Sequence, residues 1–139
     1  MMETTPGILS MVYEMKKKCA NIDQQLMDEL NISQSELLFF SSLDNCQGLS
    51  SPELAKNMGL SLSRISRVVD KLVVNVYLDR NADTTDRRAI TLCLTAKGKV
   101  IRGKIDAVRN ECEARLLEVI PTEEIERLRD VISKIVKSK

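Results

Sequence analysis

The side chains of this 139-residue chain that are best suited to chemistry are cations grouped between residues 61 and 104. That segment holds ten Lys or Arg against four Asp or Glu, a local net charge of +6, whereas the whole chain carries +1. Two of the arginines, Arg87 and Arg88, stand side by side behind Asp86 in the stretch ADTTDRRAITLCLT, residues 82–95. Such a local concentration of permanent cations is what a polyanionic partner would bind.

Composition argues against most catalytic and metal chemistry. The chain contains no histidine, which removes Ser-His-Asp and Cys-His nucleophilic sites and histidine-based metal sites. Its four cysteines include no CxxC pair and lie among apolar residues, so we expect reduced, mostly buried thiols rather than a zinc site or a disulfide framework. Only a cysteine or lysine nucleophile remains open to an enzyme. We therefore predict a non-enzymatic protein without a cofactor or metal.

The length corresponds to one structural domain. No apolar run approaches the roughly 18 residues that a membrane span needs. The apolar stretch 8–13 follows acidic Glu3 rather than a basic cluster and is too short for a signal peptide. The expectation is a soluble cytoplasmic protein with no membrane partner.

The spacing of apolar residues predicts four helices in the first half of the chain. The first begins near Pro6 and carries apolar residues at helical spacing from Ile8 to Leu30. The second and third begin at the capping-box pairs Ser33 with Glu36 and Ser50 with Glu53, and end at the turn 45–48 and at Gly59. Ser61 caps the fourth helix, whose predicted apolar face consists of Leu62, Ile65, Val68, Val69 and Leu72.

Between Val76 and Leu94 the period of the pattern changes from helical to two, which predicts a β-hairpin. Residues 77–80 form its first strand, residues 81–86 its turn, and Ile90, Leu92 and Leu94 the inward positions of its second strand. Thr95 then caps a long fifth helix, Pro121 ends it, and Thr122 begins the sixth. The predicted fold class is mainly α with a small β-hairpin.

The stretch SPELAKNMGLSLSRISRVVD, residues 51–70, has the pattern of a helix-turn-helix. Ala55 is the small residue that two steeply crossing helices need, and Gly59 tolerates the positive φ of the tight turn. The second helix of this pair carries polar and basic residues opposite its apolar face. Arginines near a helix start can enter the major groove, while serine and lysine hold phosphates, so we predict DNA-binding roles for Ser61, Ser63, Arg64, Ser66, Arg67 and Lys71.

The hairpin that follows would act as a wing beside this recognition helix. A wing can lie along the minor groove, whose narrow A·T segments attract arginine. Asp86 can accept hydrogen bonds from the Arg88 guanidinium and fix its orientation. We predict DNA contacts for Asp86, Arg87 and Arg88.

The helix-turn-helix, then Leu78-Asp79-Arg80, a turn, Asp86-Arg87-Arg88 and Leu94-Thr95-x-x-Gly98, resembles the MarR family of winged-helix transcriptional regulators. The resemblance implies a homodimer formed by the first, fifth and sixth helices, which binds a pseudo-palindromic operator in double-stranded DNA. It also implies, for many members, a small-molecule or oxidant signal. The family usually has glycine where this chain has Val76. Because a β-branched residue adopts positive φ only at a cost, we expect Asn75 to take the left-handed conformation instead.

The expected organisation is a dimerisation helix in residues 1–32, a winged helix-turn-helix in residues 33–95, and dimerisation helices in residues 96–139. Apolar stripes on the terminal helices support a dimer independently of the family. The leading function is a homodimeric transcriptional regulator, predicted to act as a repressor and to be released by a small-molecule effector. Two alternatives stay open: a thiol-based redox regulator that uses Cys19, which follows three lysines in the first helix, and a protein-interaction module without DNA binding.

Overall fold

The computed structural model describes residues 5–42, 50–82 and 90–138. These residues form six helices and one antiparallel hairpin, in agreement with the predicted order. The elements are α1 Ile8–Leu30, α2 Gln34–Ser41, α3 Ser51–Met58, α4 Leu62–Val74, β1 Leu78–Ala82, β2 Ile90–Leu94, α5 Ala96–Val119 and α6 Thr122–Lys137. The chain divides into two compact units, Met1–Arg102 and Gly103–Lys139.

The predicted caps lie where the helices begin. The hydroxyl groups of Ser50 and Ser61 accept hydrogen bonds from backbone N–H groups of the first turns of α3 and α4. Pro121 precedes α6 directly, and α5 ends at Val119. One start differs: α1 begins at Ile8, two residues after the predicted Pro6. Cap signals depend on residues three apart, so they do not require knowledge of the tertiary fold.

A capping box at the start of α2 also connects this helix to α4. The Ser33 hydroxyl accepts a hydrogen bond from the Glu36 N–H at 3.2 Å, and Glu36 Oε1 accepts one from the Ser33 N–H at 3.1 Å. Glu36 is only 3% exposed, and its Oε1 lies 3.6 Å from the Lys71 ammonium of α4. Its Oε2 has no hydrogen-bond partner among the described residues. The carboxylate is therefore half satisfied, and burying it costs free energy.

The turn between α3 and α4 has the predicted geometry. Gly59 has φ +65° and ends α3, and the Leu60 N–H donates to the Ala55 carbonyl at 3.0 Å. Ala55 is buried, as the crossing of two helices requires. Leu54 and Ile65 are fully buried beside it.

Three aromatic rings lie within the otherwise aliphatic core of the first unit. Phe39 and Phe40 meet edge to face at 5.3 Å between ring centroids, and Phe40 meets Tyr77 in the same way at 5.8 Å. The buried apolar side chains around them come from α1, α2, α3, α4 and both strands. Leu62 is an exception to the predicted apolar face of α4, because it is 59% exposed. It is the first residue of its helix and lies beyond the edge of the core.

The hairpin pairs Leu78 with Leu94 and Ala82 with Ile90. The prediction for the first strand was wrong by one or two residues at each end. The strand is Leu78–Ala82, so Tyr77 lies before it, and Asn81 and Ala82, which were predicted to lie in the turn, belong to it. Leu92 and Leu94 are buried, in agreement with the prediction. The remainder of the predicted turn lies outside the described residues.

The prediction for the end of α4 was wrong. Asn75 has φ −81°, and Val76, not Asn75, adopts the left-handed conformation with φ +64°. The Tyr77 N–H donates to the Leu72 carbonyl at 2.9 Å and the Val76 N–H to the Val73 carbonyl at 3.0 Å. These two bonds form a Schellman motif, which requires a left-handed residue at the position that Val76 occupies. A valine there carries a backbone strain of roughly 1–2 kcal/mol.

The terminal helices carry many exposed apolar side chains. On α1 these are Ile8, Leu9, Met11, Val12, Tyr13 and Met15. On α6 they are Leu128, Val131, Ile132, Ile135 and Val136, and no residue of α6 is buried. Among the described residues, no helix combines the length and apolarity that crossing a membrane requires.

Replacement of Val76 by glycine should stabilise the protein by about 1 kcal/mol, because glycine adopts the left-handed conformation without the steric cost. Thermal or urea unfolding measures the change. Val74→Gly is the matched control: Val74 is also exposed but lies in the helix, so its replacement should destabilise by roughly 0.5–1 kcal/mol. Equal effects of the two substitutions would contradict the strain at Val76.

Replacement of Glu36 by glutamine should change the free energy of unfolding by less than about 1 kcal/mol, because glutamine keeps the capping box and removes a poorly satisfied buried charge. Glu36→Ala also removes the hydrogen bond that the Ser33 N–H donates to this side chain, while the Ser33 hydroxyl still caps the helix, and should destabilise by about 1 kcal/mol. Urea unfolding of both variants compares the two effects. A large loss with Glu36→Gln would mean that the pair with Lys71 stabilises the fold more than the cap does.

Candidate nucleic-acid interface

The first two turns of α4 present a polar and basic surface. Ser61, Ser63, Arg64, Ser66 and Arg67 are all exposed. The Ser61 hydroxyl accepts from the Arg64 N–H at 3.3 Å and lies 3.1 Å from the Ser63 hydroxyl. Ser61 therefore has a structural role as the cap, whereas both guanidinium groups extend from the start of the helix. Free N–H groups and arginines at a helix start suit an anionic surface.

Arg64 and Arg67 also border a groove between the first turn of α2 and the side of α4. The groove has a volume of about 460 Å³. Gln34 and Ser35 line its α2 side, and the apolar side chains Leu38, Leu60 and Val68 complete it. It combines two guanidinium groups, an amide, a hydroxyl and an apolar wall. This arrangement can bind either a phosphate of an extended polyanion or a small amphipathic anion.

Lys71 differs from the other predicted α4 contacts. It is exposed like them, but its ammonium group faces the buried Glu36 carboxylate of α2 at 3.6 Å. The lysine partly neutralises a charge in the protein itself. Its sequence position two turns after Arg64 gave no sign of this, since Glu36 lies 35 positions earlier in the chain.

Asp86, Arg87 and Arg88, the predicted wing contacts, lie outside the described residues. The base of the hairpin is described, and it is joined to α4 by an ion pair between Arg80 of β1 and Asp70 of α4. Both side chains are partly exposed, at 40% and 60%. Arg80 belongs to the Leu78-Asp79-Arg80 motif, but no role was predicted for its side chain. The available signal was an acidic residue, Asp70, within an otherwise basic stretch of α4.

The start of α5 lies against the joint between α4 and β1, which we define as residues Asn75–Tyr77. The Thr95 hydroxyl donates to the Val76 carbonyl at 2.5 Å and accepts from the Gly98 N–H at 3.0 Å. The Thr95 N–H donates to the Tyr77 carbonyl at 3.1 Å. A side chain at position 98 would collide with that same carbonyl, so glycine is required there. These contacts account for the Leu94-Thr95-x-x-Gly98 motif.

The cysteines do not match the prediction of mostly buried thiols. Cys19 is exposed on α1, while Cys93 and Cys112 are half-buried. Cys46 lies outside the described residues. Cys19 projects from a helix whose apolar side chains are also exposed, so helical spacing marks one face of α1 without showing what covers it. Among the described residues, no group of three or more Cys, Asp or Glu stands where it could hold a metal ion.

Comparison with known proteins agrees with this architecture. The MarR family model matches residues 24–90, a segment that contains every predicted DNA contact. A MarR protein from Peptoclostridium difficile has 20% identity and a TM-score of 0.77, with 99% of this chain and 90% of that chain covered. Wild-type MarR from E. coli has 17% identity and a TM-score of 0.71, with 96% and 98% covered.

BpsR of Bordetella bronchiseptica has 13% identity and a TM-score of 0.73, with 100% of this chain and 99% of that chain covered. Its structure concerns the regulation of its DNA binding by 6-hydroxynicotinic acid. At these identities the three structures show a shared fold. The family match over residues 24–90 and the fold shared along the chain together support a MarR-family winged-helix regulator.

Proposed function

We propose that this protein is a homodimeric repressor that binds a pseudo-palindromic operator in double-stranded DNA. The observation that carries the proposal is the exposed basic surface at the start of α4, which the turn at Gly59 and the core residues of α3 hold in a fixed position. Arg64 and Arg67 reach base edges or phosphates in the major groove. Ser63, which precedes Arg64, and Ser66, which lies between the two arginines in the sequence, donate hydrogen bonds to phosphate oxygens.

Charge supports this partner. The basic segment 61–104, which covers α4, the hairpin and the start of α5, has a net charge of +6 in a chain of net charge +1, so attraction to phosphate is concentrated in this segment. Arg87 and Arg88 of the wing bind the adjacent minor groove, with Asp86 orienting Arg88. The ion pair between Arg80 and Asp70 keeps the base of the hairpin next to α4 and so aligns the two contacts.

The dimer is supported by the exposed apolar side chains of α1 and α6, which in water need a covering surface. A two-fold dimer presents two copies of α4 to successive major grooves about 34–36 Å apart, which matches an operator with two half-sites. The predicted division into dimerisation helices, 1–32 and 96–139, and a DNA-binding region, 33–95, belongs to this proposal.

A small-molecule effector completes the proposal. The groove beside α4 places an apolar wall next to Arg64 and Arg67, so an amphipathic anion bound there would occupy the groups that DNA requires. The regulation of BpsR by 6-hydroxynicotinic acid gives a precedent in a protein of the same fold. The DNA titration described next, repeated with 6-hydroxynicotinic acid and other small aromatic acids, tests this part.

Arg64→Ala and Arg67→Ala should each weaken binding to DNA from the upstream intergenic region by about 10- to 100-fold, because each removes a direct contact. Fluorescence anisotropy across a salt series measures both the affinity and its salt dependence. Arg88→Ala is expected to have a similar effect through the wing. Lys137→Ala removes one positive charge from α6 and serves as the control, with a change below about threefold.

The wild-type protein provides the stricter criterion. Its affinity should fall steeply with salt and should exceed its affinity for scrambled DNA of the same length. If the affinity changed neither with salt concentration nor with DNA sequence, DNA binding would be rejected as the function. Recovery of a partner protein together with such a result would favour the interaction module.

The protein should sediment with twice the mass of one chain. Ile135→Glu places a charge on an exposed apolar position of α6 and should shift the equilibrium to the monomer at micromolar concentration. Lys137→Glu is the control on the same helix and should remain dimeric. Circular dichroism checks that both variants keep their helices. A dimer unaffected by Ile135→Glu would exclude this face of α6 from the interface.

A further inference from the structure

We propose that Lys97, in the first turn of α5, is a positioning residue for DNA binding, because it fixes the joint Asn75–Tyr77 between the recognition helix and the wing. The inference rests on the proposed function. The Lys97 ammonium donates a hydrogen bond to the Asn75 carbonyl at 3.1 Å. It also lies 4.7 Å from the centroid of the Tyr77 ring. One cation therefore contacts both ends of the joint.

Both contacts are favourable for physical reasons. The last carbonyls of a helix have no partner within the helix and carry a partial negative charge, so a cation at the end of α4 is stabilised there. The Tyr77 ring offers its negative face to the same ammonium group. Because Tyr77 is buried and packs edge to face on Phe40, the ring is a fixed platform.

Donors at the start of α5 form hydrogen bonds with all three successive carbonyls of the joint. Lys97 binds the carbonyl of Asn75, the Thr95 hydroxyl binds that of Val76, and the Thr95 N–H binds that of Tyr77. The absence of a side chain at Gly98 allows this close approach. The three acceptors would otherwise be open to water, and the chain could change direction at this point.

The joint needs these contacts because Val76 is held in a strained conformation. A β-branched residue at φ +64° relaxes toward negative φ when its surroundings permit. Such a relaxation turns β1 relative to α4. The cations of α4 and those of the wing could then no longer contact the same DNA duplex at the same time. Lys97 acts through this geometry and need not touch the DNA.

The test separates positioning from a direct phosphate contact, since Lys97 is exposed. Lys97→Met keeps the length of the side chain and removes its charge. We expect a loss of about tenfold in operator affinity, with a smaller loss on scrambled DNA and an unchanged salt slope. A phosphate contact would instead weaken both DNAs equally and lower the slope by about one.

Lys99→Met is the matched control. Lys99 is exposed on the same helix, and among the described residues its side chain makes no hydrogen bond to the joint. The specificity ratio is the affinity for operator DNA divided by the affinity for scrambled DNA. Lys99→Met should change this ratio by less than about twofold, because an exposed charge away from the joint contributes little. An equal fall in specificity for both variants would overturn the role of Lys97.

A double-mutant cycle tests whether Lys97 acts through Val76. In the Val76→Gly background the left-handed conformation is no longer strained, so Lys97→Met should lose less than about threefold in operator affinity. The same loss in both backgrounds would overturn the mechanism. Amide hydrogen exchange without DNA gives an independent readout: Lys97→Met should speed exchange at the Val76 and Tyr77 amides, which close the end of α4.

The two proposals fail in different ways. Wild-type protein without preference for operator DNA would reject the proposed function, and the role of Lys97 in DNA binding with it. Wild-type protein that prefers its operator, together with a Lys97→Met variant of equal specificity, would reject the role of Lys97 alone.

Discussion

The arrangement of the helix-turn-helix and its wing depends on the direction in which the chain leaves α4. That direction is set at Val76, where two backbone hydrogen bonds require a left-handed residue and the chain supplies a β-branched one. Contacts from the start of α5, about twenty positions further along the chain, offset the strain energy of this conformation. The wing therefore takes its orientation from a sequence segment that belongs neither to the helix-turn-helix nor to the hairpin. In this chain, Thr95 and Gly98 of the Leu94-Thr95-x-x-Gly98 motif hold the carbonyls at the start of the hairpin.

The helix starts and the helix-turn-helix could be predicted from the sequence because their signals are local. Ser33 and Glu36, or Ala55 and Gly59, lie within one turn of each other, and their chemistry permits few other arrangements. The left-handed residue after α4 was assigned to the wrong position for the converse reason. Residue preference favours Asn75, but the hydrogen bonds of the motif and the contacts from Thr95 act on Val76.

The site was predictable in its composition and less so in its internal contacts. The exposed serines and arginines of α4 follow from helical periodicity alone. The pairs Lys71 with Glu36 and Arg80 with Asp70 join residues from different elements, so no spacing rule finds them. Two cationic side chains in the basic region, Lys71 and Arg80, thus have partners within the protein, and the positive surface available to a ligand is smaller than the sequence suggests. The exposure of Cys19 and of the apolar side chains of α1 could not be predicted for a similar reason. Helical periodicity identifies an apolar face, but it does not show which other residues cover that face.

The ion pair between Arg80 and Asp70 makes the position of the hairpin relative to α4 sensitive to ionic strength. Both side chains are open to solvent, and attraction between exposed charges is screened over about 10 Å at 0.1 M salt. As ionic strength rises, this ion pair weakens, and the base of the hairpin is held less firmly against α4. Dissolved ions thus act on the geometry of the winged helix itself, independently of what its surface binds.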